Sequence, residues 1–90
     1  MSYINTTITA LSTSTATAHW TSSYGHPYQS RWQRTTYSDG SESWSWWSRD
    51  AQEWLDVRPL AQAGQPFEAA IRSLTCRDER GLKASDITIR

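Results

Sequence analysis

Seven residues between positions 31 and 47 have the types and spacing of a recognition surface: Arg31, Trp32, Arg34, Tyr37, Trp44, Trp46 and Trp47. Tryptophan and tyrosine bring large contact area, arginine stacks on their faces, and Trp, Tyr and Arg are enriched at interface hot spots. The chain carries six tryptophans and four tyrosines in 90 residues, which is a great deal of ring area for one small core. Some rings are therefore expected to serve a partner, most simply another protein. Platforms that stack single-stranded nucleic acid use the same interleaving of Arg with aromatics, at ~1–3 kcal/mol per base. Single-strand binding is the alternative.

Other chemistries lack their constellations. His19, His26 and Cys76 are scattered and form no short ligand pair of the kind zinc uses. Hydroxyls are abundant, but no Gly-x-Ser-x-Gly elbow holds one. The acidic pairs Asp50/Glu53 and Asp78/Glu79 fall in charged segments, without the apolar setting that raises a carboxyl pKa for acid–base work. The four glycines are isolated, so there is no phosphate-cradling loop. The expectation is a non-enzymatic protein with no metal and no cofactor.

Nine basic and nine acidic residues give a formal net charge of zero. Neutrality disfavours a general polyanion binder and equally a nucleic-acid mimic working through bulk negative charge. Charge is unevenly placed: Arg31 and Arg34 precede the first acidic residue, Asp39. Cys76 is the only cysteine, so no intramolecular disulfide forms. The first residues show neither a basic n-region nor an apolar h-region, and no apolar run is long enough to span a membrane. A cytoplasmic location is expected.

In size and lack of motifs the chain is similar to phage and mobile-element proteins that inhibit host defence systems, anti-CRISPR proteins among them. The likeness is one of profile and rests on no residue pattern. For such an inhibitor, zero net charge points to steric or allosteric blocking rather than imitation of DNA.

The elements that must position these residues divide the chain. Residues 1–48 read as β-rich. From 4 to 20 the even positions Ile4, Ile8, Ala10, Ala16, Ala18 and Trp20 are apolar or small, against mostly polar odd positions with many threonines. Period two with Thr enrichment is a half-buried strand; Leu11–Ser14 reads as a turn between two strands or as a linker, and the strand reading is favoured because the alternation holds on both sides of it. Tyr24–Pro27 reads as a loop. Asp39-Gly40 between strand-like segments is a hairpin signal with two registers. A two-residue loop sets Trp32 against Trp47. A three-residue loop with Gly40 left-handed sets Trp32 against Trp46 and Arg34 against Trp44, and is favoured because it gains a ring pair and a cation–π contact. Trp44 and Trp46 then share a face, Trp47 takes the other, and one of the two sets is surplus to the core.

Residues 49–81 read as two helices. Ser48 is a candidate N-cap, Asp50 sits in the first turn, and Ala51, Trp54, Leu55 and Arg58 follow helical spacing up to Pro59. Asp50, Glu53 and Asp56 would form an acidic arc, and Trp54 would join the core. Gln65-Pro66 opens the second helix with Pro at its first position. Phe67, Ala70, Ile71 and Leu74 make its apolar stripe, Gly81 stops it, and Leu82 folds back. Residues 82–90 form a tail or a short final strand. The expected fold is one α+β domain: an antiparallel sheet of three to four strands covered on one face by two helices.

Overall fold

The alternating small and polar residues around Ala16, Ala18 and Trp20 lie within one long strand. In the computed structural model, which describes residues 7–90, β1 runs over Ala10–Thr21 without turning at Leu11–Ser14; its pairing shifts once, between Ala10 and Ser12. Ile4 lies outside the described residues. β2 spans Pro27–Tyr37, β3 Glu42–Ser48 and β4 Glu53–Val57. The helix α1 covers Phe67–Asp78, a single 3-10 turn Ala84–Asp86, and β5 Thr88–Ile89. The protein is α+β, with one five-stranded antiparallel sheet in the order β4-β3-β2-β1-β5. None of its described helices is long and apolar enough to cross a membrane.

The β2–β3 hairpin takes the three-residue loop. Trp32 pairs with Trp46 and Arg34 with Trp44. Tyr37 and Ser41 close the loop through a 2.9 Å backbone bond, and Gly40 has φ of +85°. That left-handed conformation is nearly free for Gly and costs other residues about 1–2 kcal/mol. The Ser41 hydroxyl and then its amide donate to Asp39, holding that carboxyl below the ordinary carboxylate range.

The first expected helix is a correction. Ser48 does accept a bond from the Ala51 amide, at 3.2 Å, as an N-cap would. The bond begins a tight turn instead: Gln52 takes φ of +54° and β4 runs back along β3. Leu55 lands opposite Trp46 and Val57 opposite Trp44, while Trp54 faces Trp47 on the other side of the sheet. A capping bond satisfies a turn as well as a helix, and cross-strand ring packing decides between them. The acidic arc dissolves, with Asp56 opposite Ser45. Trp54 is not in the core.

The second expected helix is α1, with Pro66 as its N-cap, one residue ahead of the expected placement. Ala70, Ile71 and Leu74 are its buried stripe, packed with Ala18, Trp32, Trp44 and Ile87. Ala18 is fully buried in this cluster, its small side chain leaving room for the helix residues packed with it, and α1 contacts β1. Past α1 the chain turns at Gly81, φ +81°, and Leu82 packs back on the core. The 82–90 segment ends as a strand: Ala18 pairs with Ile89, and Thr17 and Arg90 exchange backbone bonds of 2.9 and 3.0 Å.

Candidate functional site

Sheet and helix differ in length, and the mismatch creates the site. Twelve residues of strand extend roughly 40 Å, whereas twelve of helix extend roughly 18 Å. With β1 and α1 each twelve residues long, the covered face of the sheet outruns its helix. Beyond the carboxyl end of α1, Trp20 from β1, Trp32 from β2 and Trp46 from β3 line a cleft of about 210 Å³. Ser30 lies between them, and Thr75, Asp78 and Glu79 close the helix side.

Each ring is placed by strand register. Trp20 pairs with Tyr28 across β1–β2 and stacks on it, with centroids 6.1 Å apart and planes at 21°. The Ser22–His26 turn holds the pair in line: its two backbone bonds, Ser22 N–H to His26 and Gly25 N–H to Ser22, are both 2.9 Å. Trp46 is 37% exposed, Tyr28 51% and Tyr24, at the turn, 89%. A second groove continues past Trp20 and Tyr28 to Tyr24, bordered by Glu79, Arg80 and Leu82.

The electrostatics of the cleft are one-signed. No basic side chain lines it. Asp78 lies 3.5 Å from the Arg77 Nε, and Arg77 also donates to the Arg58 carbonyl at 3.0 Å. Glu79 forms no ion pair among the described residues. The negative end of the α1 dipole adds to the two carboxylates, and so do the negative faces of the indole rings.

The seven residues singled out from sequence do not form one surface. Trp44 is buried beneath Phe67, with centroids 5.8 Å apart, and its indole N–H donates to Glu42 at 3.1 Å. Arg34 lies beside the Trp44–Phe67 stack, 5.7 and 5.2 Å from the two rings, and donates to the Gln65 carbonyl at 2.7 Å. The Glu42 carboxylate stands 4.0 Å from it. These residues tie the 58–66 loop to the sheet and have little surface for a partner. Trp32, at 3% exposure, is both core and cleft wall, and its indole nitrogen is buried with no partner.

Arg31, Tyr37 and Trp47 belong to the uncovered face. There Trp47 meets Trp54 edge-on at 5.5 Å, and Arg31 lies 5.7 Å over Trp54. Tyr37, at the far end, is bonded to Ser43 at 3.1 Å. The rest of that face is polar, with cross-strand pairs such as Thr13–Thr35, linked at 3.1 Å. Of the seven, Trp32 and Trp46 line the cleft, and Trp46 is the exposed one of the two.

Trp20, Tyr28, Asp78 and Glu79 were not in the expected set. Two signals pointed to them. Trp20 and Tyr28 stand symmetrically about Tyr24, so pairing the first two strands through that turn aligns them. Carboxylates at a helix carboxyl end oppose the dipole, which suggests placement for something other than helix stability.

Among the described residues no group of three or more His, Cys, Asp or Glu converges as a metal site. A shallow groove of about 370 Å³ borders both His19 and Asp86. The Asp86 carboxylate is engaged by the Lys83 amide at 3.3 Å, and no hydrogen bond links it to His19. The chain matches no protein-family model, no curated protein and no solved structure.

Proposed function

We propose that this is a non-enzymatic binding protein that docks on another protein through the aromatic surface at the carboxyl end of α1. One observation carries the proposal: Trp46 stands exposed at a cleft walled by Trp20 and Trp32, and Tyr28 and Tyr24 stand exposed along the neighbouring groove that shares Trp20 and Glu79 with it. At about 210 Å³ the cleft is smaller than the usual ~300–1,000 Å³ of small-molecule pockets. It suits a single anchoring side chain, the unit from which hot spots are built. A phage-type inhibitor that blocks its target sterically could use such a surface.

The test is differential capture from the native host, with wild-type, Trp46→Ala and Tyr28→Ala proteins as bait and both protein and nucleic acid assayed in the eluate. A protein retained by wild type and lost by both folded variants supports docking at this surface. Equal capture by all three sinks it.

A second reading has its own observation. Arg31, Trp47 and Trp54 group on the uncovered sheet face, as a platform for single-stranded nucleic acid would require. Such binding would weaken steeply with salt, because phosphate contacts release counterions, and would be lost on Trp54→Ala while surviving Trp46→Ala.

A further inference from the structure

We infer that the cleft between Trp20, Trp32 and Trp46 receives an arginine side chain of the protein partner, its guanidinium stacked on indole faces and directed toward Asp78 and Glu79. The inference rests on the docking reading above and specifies what enters. Three independent sources make the cleft attractive to a cation: ring faces, two carboxylates and the carboxyl end of α1. No basic residue lines the cleft to neutralise them. Arg77 partly offsets Asp78, and Arg80 borders the neighbouring groove, but Glu79 has no ion pair among the described residues.

The molecule contains the same recognition in filled form. At the amino end of α1, Arg34 lies 5.7 Å from Trp44 and 5.2 Å from Phe67, with the Glu42 carboxylate at 4.0 Å. There two stacked rings on one side and a carboxylate flank a guanidinium supplied by the chain itself. The carboxyl-end cleft has the rings and the carboxylates without the cation. Arginine fits it better than lysine because a planar guanidinium stacks flat on indole and still donates in its own plane.

The experiment is a titration of the ¹⁵N-labelled full chain, observing the indole N–H signals, with N-acetyl-arginine amide and with its uncharged isostere N-acetyl-citrulline amide. The arginine compound is expected to shift the Trp20 and Trp46 signals saturably, with citrulline about tenfold weaker; the gap follows from the cation–π and carboxylate attractions. The double variant Asp78→Asn/Glu79→Gln, with its melting temperature measured alongside, should lose most of that preference while staying folded. Equal response to both compounds overturns the arginine assignment and leaves an apolar docking cleft. Absence of shifts at Trp20 and Trp46 also overturns it, whereas the docking reading stands or falls on the Trp46→Ala capture.

Discussion

The two ends of α1 carry similar aromatic material put to different use. At the amino end Arg34 packs against the stacked Trp44 and Phe67 rings, the Trp44 indole N–H donates to Glu42, and the Glu42 side chain is only 6% exposed. At the carboxyl end Trp20, Trp32 and Trp46 surround a cleft with carboxylates on its rim and no cation of the chain's own. The helix ends beside these rings, and Trp46 at 37% exposure is less covered than Trp44 at 1%. Ring content therefore does not distinguish a core from a binding surface. What distinguishes them is whether a covering element and a counter-charge reach the rings.

The largest expected effect separates the two clusters by stability. Trp44→Ala removes a ring buried to 1% and should cost ~3–5 kcal/mol in denaturant unfolding. Trp46→Ala, at a ring 37% exposed, should cost about half as much, ~2 kcal/mol. Comparable losses from the two would break the contrast. Next, Arg34→Ala leaves the Glu42 carboxylate without its cation and should cost about 3 kcal/mol. An Arg34→Met/Glu42→Gln double variant should recover most of this, because it strands no charge while the amide oxygen still accepts from the Trp44 indole N–H. Failure of that recovery would show that the loop anchoring by Arg34, not its charge balance, dominates.

A smaller effect tests the strand that completes the cleft side of the sheet. Gln52 holds φ of +54° in the β3–β4 turn, so Gln52→Gly should range from neutral to about 1 kcal/mol stabilising. Were residues 49–58 helical, the same change would cost about 1 kcal/mol. A loss of that size would remove β4, and with it Leu55 opposite Trp46, from the comparison. The smallest effect concerns sign. Glu79→Gln removes a carboxylate from the unfavourable end of the helix dipole and should raise stability by ~0.3 kcal/mol in thermal melts. A fall instead would show that Glu79 serves the fold, weakening its assignment to the cleft.

Much of the fold was legible because local patterns and long-range packing agreed. Threonine alternation marked β1, Gly40 permitted the three-residue loop, and the Phe67–Leu74 stripe marked α1. They disagreed at 48–58. Ser48 makes the bond of an N-cap, and Trp54, Leu55 and Arg58 keep helical spacing, yet the segment is a turn and a strand. The spacing also suits β4: Leu55 and Val57 reach the core side and Trp54 the other. Only partners distant in sequence discriminate. The candidate site suffered the same way. Trp44 and Trp46 are equivalent by strand parity, but Phe67 covers the first and nothing covers the second to the same degree.

The sequence by itself determined an α+β protein with a Trp-rich hairpin in a specific register, because side-chain parity and turn chemistry act between near neighbours. It also placed Trp47 opposite Trp44 and Trp46. Tertiary structure decided which rings are core and which line a cleft, that Arg34 is an internal guanidinium, and that Asp78 and Glu79 border Trp20 and Trp46. Those outcomes depend on where a short helix lies along a longer sheet. That position is set by packing among Ala18, Ala70, Ile71, Leu74 and Ile87, residues far apart in the chain whose joint burial no local pattern encodes.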